Sequence, residues 1–257
     1  MNARRLWWSA SSVLFALALI GLWQALADAR IVSPAYFPSP ARTFAVLSDQ
    51  MQTGTLWSAL GETCWRMLAG WFTASLLGVG LGAVIGLSPT ARDFFEPTLE
   101  FMRPLPASAI LPAAVLLLGL TSQMIIAVIA FGAIWPVLLN TIHGFRAVEP
   151  RLVEVARMLH LSRVERSVKI ALPSALPDIL AGVRVSLAIS LILAVVAEML
   201  SSQPGLGHNI LVAARAFRSA DLYAGVIVLG VLGYLTNAAL ERAETYWLRW
   251  RPAPSGE

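Results

Sequence analysis

The sequence predicts an all-α membrane protein with six transmembrane helices, and three observations support this fold class. First, 57% of the 257 residues are apolar and 13% are charged, about half the charged fraction of an average soluble domain. Second, long stretches contain no Asp, Glu, Lys or Arg, and about 20 apolar residues suffice to cross a bilayer as a helix. Third, the basic residues collect in alternate connections between these stretches, as they do in multi-pass membrane proteins.

The first half of the chain contains two predicted spans. Residues 6–27 are uncharged, follow Arg4 and Arg5, and are too long for the apolar centre of a signal peptide. Residues 28–60 are polar, with a short amphipathic helix predicted over 41–51. Residues 67–91 form the second span and residues 93–103 a short charged connection. The second span carries small residues that let helices approach closely in lipid, namely Gly70, Gly78, Gly80, Gly82 and Gly86.

The second half contains four predicted spans. Residues 104–145 are uncharged, and at 1.5 Å per residue they extend about 60 Å, enough for two crossings with a break at 119–123. Residues 179–200 form the fifth span, which contains Arg184 and Glu198. Residues 201–220 are a polar connection, and residues 222–240 form the sixth span. We divide the chain into an N-terminal helix and linker (1–57), a transmembrane domain (58–245) and a tail (246–257).

Basic residues predict the orientation of the six spans. With six spans both termini share one side, and that side carries 13 of the 19 basic residues against four on the other. The basic-rich side is cytoplasmic by the positive-inside rule. The 13 residues are Arg4, Arg5, Arg92, Arg103, Arg146, Arg151, Arg157, Arg163, Arg166, Lys169, Arg242, Arg249 and Arg251.

A polar segment over residues 148–177 predicts a helix–turn–helix between the fourth and fifth spans. Pro150 suits a first helical position, because its missing N–H would have no partner there. A break follows at His160, and Ser162 with Glu165 forms a capping box that starts a second helix. This second helix is expected to end before Pro173.

The same segment resembles the EAA loop of ABC-transporter permease subunits. Glu154-x-Ala156, followed by Ile170-x-Leu172-Pro173, has the spacing of that motif. Two positions differ from the motif: Val155 replaces its second Ala, and His160 replaces its Gly. The Gly would permit a positive φ at the turn, and His is one of the few other residues that tolerate this conformation. From composition alone, a basic amphipathic loop on the lipid headgroups is the alternative.

The resemblance implies a cytoplasmic coupling loop, over residues 146–178, that docks on an ATPase subunit. Glu154 is then expected to help hold the contact with the ATPase. The alternative is that Glu154 is an ordinary solvent-exposed charge without a functional role. Ala156 is expected to allow close docking because it is small. The residues implied in coupling are Leu152, Val153, Glu154, Ala156, Arg157, Leu159, His160, Ile170, Leu172 and Pro173.

Further motifs resemble the nitrate, sulfonate and taurine branch of these permeases, among them Arg103-Pro104-Leu105-Pro106 and Gly205-Leu206-Gly207. The resemblance implies a type I ABC importer permease in the bacterial inner membrane, working as a homodimer in lipid. Its expected partners are cytoplasmic ATPase subunits, which would bind ATP and Mg, and an extracytoplasmic solute-binding protein. The expected solute is a small anion. This chain is expected to bind no cofactor and no nucleic acid.

Four polar residues within the spans are candidates for the pathway or its gate: Glu198, Arg184, Asn140 and Arg66. Ionisable groups inside a membrane usually face an interior or a partner. Glu198 either lines the path near the outer gate or pairs with Arg215 or Arg218. Arg184 is expected to snorkel to the surface. Arg66 is expected at the outer interface, with contact to an anionic substrate as the alternative.

Several chemistries are disfavoured by the sequence. The one cysteine, Cys64, allows no intramolecular disulfide, and the one lysine, Lys169, follows Val168, so no Gly-Lys-Ser/Thr phosphate loop is present. The three histidines lack zinc-type spacing. We therefore expect no ATPase activity from this chain and no metal site. The alternatives to an importer permease are a gradient-driven carrier and, less favoured, an intramembrane transferase using Asp93, Glu96 and Glu100.

Overall fold

The computed structural model describes residues 3–249, and the regular structure in this range is helical. The helices are α1 (Ala3–Asp28), α2 (Pro40–Gln52), α3 (Thr55–Leu87), α4 (Pro89–Met102), α5 (Ala107–Leu118), α6 (Ser122–Arg146), α7 (Pro150–Met158), α8 (Arg163–Arg166), α9 (Leu172–Ser201), α10 (Leu206–Arg215) and α11 (Ser219–Trp247). A π-helical turn over Ser167–Ala171 joins α8 to α9. Residues 250–257 of the predicted tail, including Arg251, lie outside the described residues.

Four helical segments are long and apolar enough to cross a membrane: α3, α6, the continuous segment Arg163–Ser201, and α11. A fifth crossing is formed if α4 and α5, which meet at an angle of 93°, count as one broken span. The apolar stretch identified within α1, Leu14–Asp28, is shorter than a span. The all-α membrane fold is thus confirmed with four or five spans, and the sixth stays a prediction.

The core of the molecule is α6, which packs between α3 and α9. Small residues on α3 make the first contact possible, because added β-carbons would lie 2.5–2.8 Å from side-chain atoms of α6. These residues are Gly70, Gly78, Gly82 and Gly86, whereas Gly80 of the same helix faces open space. The predicted close packing therefore holds for four of the five glycines.

The chain direction separates two ends of this bundle. The α10 end contains α2, α10, the starts of α3, α6 and α11, and the end of α9. The α7 end contains α4, α7, α8, the ends of α3 and α6, and the start of α9. At the α10 end, the amide of Gln50 in α2 donates to Asp221 in α11 at 3.0 Å. At the α7 end, Phe145 packs with Ala171, Ala175 and Ile179.

Three sequence-based boundaries were wrong. Helix α3 begins at Thr55, twelve residues before the predicted start at residue 67, because its charged residues are paired within the helix or the core. The predicted connection over 93–103 is largely helical, since Ser88 caps α4 and Pro89 occupies its first turn. The helix that begins at Arg163 does not stop at Pro173. The π-helical turn changes the hydrogen-bond register just before the proline, so the chain continues into α9.

Candidate coupling loop and buried ion-pair cluster

The sequence signals of the loop act locally as predicted. Pro150 occupies the first turn of α7. The helix ends where His160 takes a φ of +52°, as expected for the residue at the motif glycine. The amide of Leu161 donates to the carbonyl of Ala156 at 3.0 Å, and that of His160 to Arg157 at 3.0 Å. This is a Schellman ending, which satisfies carbonyls that the helix end would otherwise leave free.

A capping box starts the second helix of the loop. The Ser162 hydroxyl accepts from the Glu165 amide at 3.3 Å, while the Glu165 carboxylate accepts from the Ser162 amide at 3.1 Å. Lys169 donates to the other carboxylate oxygen at 2.9 Å. Hydrogen bonds from Lys169 and Ser162 lower the pKa of Glu165 to about 2, so this carboxylate stays charged at physiological pH. The box therefore fixes where the second helix of the loop begins.

The loop presents apolar side chains to its surroundings. Met158 is 77% exposed and Leu159 is 64% exposed, and Leu152, Val155 and Val164 are exposed as well. Glu154 and Arg157 lie on the exposed surface of α7 and form no ion pair within residues 3–249. An exposed apolar patch of this kind is typical of a surface that meets a partner.

Four predicted coupling residues do not lie on this exposed surface. The Ala156 side chain is 1% exposed, so its small size serves packing within the chain and it contributes nothing to an exposed surface. Val153 is half-buried. Ile170 and Pro173 are also half-buried, at the base of the loop, while Leu172 is exposed at the start of α9. The predicted residues therefore divide into an exposed surface and a base that joins it to the core.

A buried ion pair lies at the α10 end. Arg66 of α3 donates through Nη1 to Glu198 of α9 at 3.0 Å, with the two side chains 2% and 0% exposed. The other guanidinium nitrogens donate to Ser122 at 3.1 Å and to Glu62 at 2.9 Å. Each nitrogen of the Arg66 guanidinium thus has a hydrogen-bond partner, as a buried charge requires.

The same cluster holds the turn between α9 and α10. Glu198 accepts from the Gly207 amide at 3.0 Å and from the Thr63 hydroxyl at 2.9 Å. The Thr63 hydroxyl accepts from the Leu206 amide at 2.9 Å, and Arg66 donates to the Pro204 carbonyl. Added β-carbons would overlap Glu198 at Gly205 and the Val195 carbonyl at Gly207, so the turn needs glycine at both places.

These contacts correct two predictions. Arg66 is not the exposed charge expected of an interfacial arginine, because it is buried in the bundle and paired there with Glu198. Glu198 does not pair with Arg215 or Arg218, both of which are exposed. Sequence reasoning missed Thr63 and Ser122. One signal that could have found part of this cluster is the four-residue spacing of Glu62 and Arg66, which places both on one helix face.

The remaining pathway candidates have local partners. Arg184 of α9 forms an ion pair with Glu244 near the end of α11, and its side chain is 39% exposed, so its snorkelling to the surface stays a prediction. The Asn140 amide donates to the Pro136 carbonyl one turn earlier in α6, at 2.8 Å. Among residues 3–249 no group of three or more His, Cys, Asp or Glu side chains is arranged to hold a metal.

Comparison with known proteins assigns the family. A family model described as "Binding-protein-dependent transport system inner membrane component" matches residues 74–247, which includes the whole loop and the Glu198 cluster except its α3 residues. The chain belongs to this family. Its membership, predicted from the EAA-like loop, is confirmed.

Two relatives of this permease are similar over most of its length. SsuC of Bacillus subtilis (strain 168), a permease protein assigned to aliphatic sulfonates transport, is 32% identical over 95% of this chain and 88% of its own. TauC of Escherichia coli (strain K12), a taurine transport system permease protein, is 29% identical over 89% of this chain and 86% of its own.

A solved structure shares the fold. A chain of the MetNI methionine ABC transporter, in an inward-facing conformation, superposes with a TM-score of 0.67 at 17% identity. The match covers 77% of this permease and 98% of that chain. At this identity the likeness concerns the fold, which is that of an ABC importer permease.

Proposed function

We propose that this chain forms the membrane pathway of an ATP-driven importer for a small anion, a sulfonate or taurine, with nitrate as the alternative solute. It would work as a homodimer of six-span subunits in the bacterial inner membrane, with both termini in the cytoplasm. The observation that carries this proposal is the exposed apolar surface on α7 and α8, in a chain of the binding-protein-dependent transport family.

The α7–α8 surface suits a cytoplasmic ATPase that binds ATP and Mg itself. Leu152, Met158 and Leu159 are exposed in the isolated chain, and full burial of such a side chain contributes about 1.5–3 kcal/mol. Three of them therefore suffice for a stable contact. Glu154 and Arg157 on the same helix would set its register through charge pairs, because interfacial charges favour specific partners.

Helix α9 provides a mechanical link from this surface to the opposite end. It starts at the base of the loop and runs for 30 residues, about 45 Å, to the Glu198 cluster. ATP-driven movement of α7 would thus reach the α10 end as movement of a rigid helix. A partner can shift such a two-state equilibrium only by binding one state better, and ATPase closure supplies that difference.

The α10 end would receive the solute-binding protein. There the Arg66–Glu198 cluster ties α3, α6, α9 and the turn before α10 into one unit. Since every guanidinium nitrogen of Arg66 and both carboxylate oxygens of Glu198 already have partners, the two side chains are better suited to hold a gate in place than to bind the solute. Asn140 and Arg184, nearer the α7 end, remain pathway candidates.

The solute class rests on the relatives, because the names of SsuC and TauC specify aliphatic sulfonates and taurine. The test is uptake of radiolabelled taurine and of a short alkanesulfonate by the source bacterium and by a strain lacking this gene. We expect the deletion to abolish uptake of at least one of them and the wild-type gene to restore it. Unchanged uptake of both compounds, and of nitrate, would reject the proposed solute class.

A further inference from the structure

A cavity of about 240 Å³ lies at the α7 end, between α4 and the ends of α3 and α6. It is distinct from the α7–α8 surface and from the Glu198 cluster. Its wall contains three arginines, one histidine and two glutamates: Arg92, Arg103, Arg146, His143, Glu96 and Glu100. The volume exceeds the roughly 30 Å³ that one water molecule occupies in the liquid, so it can admit a polyatomic group.

The arginines of this cavity have unused donors. None of the three forms an ion pair in the part of the chain that the structure describes, although two carboxylates line the same cavity. Arg92 donates through Nη2 to the Gly86 carbonyl at 3.3 Å, and its Nε is buried without a partner. Leaving a buried charged donor without a partner is unfavourable, so the site is incomplete as it stands.

The place of the cavity in the fold is where a membrane-spanning bundle would meet lipid headgroups. It lies where the spanning helices α3 and α6 end, at residues 87 and 146. Helix α4 is amphipathic: its polar stripe of Arg92, Glu96 and Glu100 faces the cavity, while Phe94 and Phe101 on other faces are each 75% exposed. A helix with aromatic side chains opposite a charged stripe is typical of the interfacial layer of a membrane.

We propose that this cavity binds a phosphate group through Arg92, Arg103 and Arg146. Guanidinium groups match phosphate oxygens in geometry and charge, and basic pockets between helices at the membrane surface bind anionic headgroups. Glu96 and Glu100 offset part of the positive charge. The cavity therefore suits a singly charged phosphodiester, as in phosphatidylglycerol, better than doubly charged inorganic phosphate.

The test measures lipid binding to the full-length protein, purified in a neutral detergent, by native mass spectrometry. Phosphatidylglycerol is compared with phosphatidylcholine, whose headgroup has no net charge, and inorganic phosphate is added in a parallel series. We expect preferential retention of phosphatidylglycerol. Arg103→Gln and Arg146→Gln should each weaken it about fivefold, the effect of about one basic residue at a membrane surface. Arg151→Gln, an 89% exposed arginine of the loop, should have no effect.

A second variant separates binding from folding. Glu100→Gln removes a carboxylate from the same cavity and should strengthen phosphatidylglycerol binding about fivefold, a gain that misfolding cannot produce. If instead inorganic phosphate binds with the same dependence on these residues and the two lipids are retained equally, the phosphate comes from solution and the chemistry of the site stands. Equal retention of both lipids, no phosphate binding, and no response to the three cavity variants would overturn the proposal.

Discussion

Among single residues, Arg66 and Glu198 show that a charged residue in a membrane protein can be buried and paired in the core. Each is separated from its partner by 132 positions, so no local pattern connects them. An ionisable residue within a span predicts a special role for Glu198, but this signal does not indicate which role. The role depends on Thr63, Ser122 and two backbone amides, which only the fold brings together.

Removing one charge of this pair should destabilise the protein strongly. Glu198→Gln keeps the side-chain shape but removes the buried counter-charge of Arg66 and leaves only the half-exposed Glu62, at a cost of up to about 3–5 kcal/mol. A matched control is Lys169→Gln, which breaks a pair of similar length, 2.9 Å, that is 60% and 44% exposed. That change should cost at most about 1 kcal/mol. Thermal unfolding in detergent measures both, and equal melting temperatures for the two variants would contradict the structural role.

The turn before α10 provides an independent check at the residue scale. In Gly207→Ala the new methyl group would overlap the Val195 carbonyl, which belongs to the backbone of α9 and cannot rotate away. We expect a loss of about 1–3 kcal/mol, as in other overpacked sites, seen as a lower melting temperature. Gly80→Ala, in α3, meets no atom within 4 Å and should leave stability unchanged or slightly raised. An unchanged melting temperature for Gly207→Ala would show that α10 does not pack this closely against α9.

At the level of helices, the sequence predicts the capping and turn residues correctly, but it predicts less well where a helix starts or ends. Ser162 with Glu165, Pro150, and His160 at positive φ each act within one turn, so the sequence alone was enough to predict them. Pro173 misled because a proline breaks a regular α-helix, whereas here the π-helical turn before it accommodates the missing N–H. Whether a proline kinks, ends or continues a helix depends on its neighbours in space.

Charged residues misled in the same way at two other helices. The sequence predicts that the second span starts after Arg66, because charges usually mark the end of a span, yet this charge is paired inside the core. Helix α4 was predicted to be a connection because its charges and Pro97 hid its amphipathic pattern. The structure distinguishes its two faces, because the charged face lines a cavity together with the ends of α3 and α6.

Helix α7 carries the prediction that tests coupling. Glu154→Lys reverses an exposed charge on α7 without touching a span, so the variant should fold and reach the membrane at normal levels. If this helix docks on the ATPase, a like-charge contact should cost several kcal/mol. Transport should then fall at least about tenfold, and the ATPase should co-purify poorly.

The matched control for this prediction is Ser202→Lys, which introduces an exposed positive charge at the α10 end. It should leave association with the ATPase intact. Normal transport by Glu154→Lys with its ATPase bound would show that α7 is not the coupling element, even though the chain belongs to the permease family. Loss of the ATPase in both variants would instead indicate a general defect in assembly.

For the whole molecule, the central arrangement is a bundle whose two ends have different chemistry. The α7 end is rich in arginine and carries the exposed apolar surface, whereas the α10 end is held together by a buried, fully paired cluster. Helix α9 belongs to both, since its first turns pack with Phe145 and its last turns contain Glu198. The continuity of α9 through Pro173, which sequence reasoning did not predict, therefore connects the two ends mechanically.

The positive-inside rule predicts which end faces the cytoplasm, and two single cysteines test it. In a Cys64→Ala background, Val164→Cys lies on α8 at a side chain that is 73% exposed, and Ser202→Cys lies at the exposed end of α9. The 30 residues of α9 extend about 45 Å, more than the thickness of the hydrocarbon core, so the two positions should face opposite sides of the membrane. The cells express this chain without an ATPase, because Val164 belongs to the α7–α8 surface that an ATPase would cover, and their outer membrane is permeabilised. A membrane-impermeant maleimide should label Ser202→Cys, and Val164→Cys should react only after the inner membrane is opened. The reverse pattern would place α7 outside the cytoplasm, beyond the reach of any ATPase, and equal labelling of both would mean that α9 does not cross the membrane.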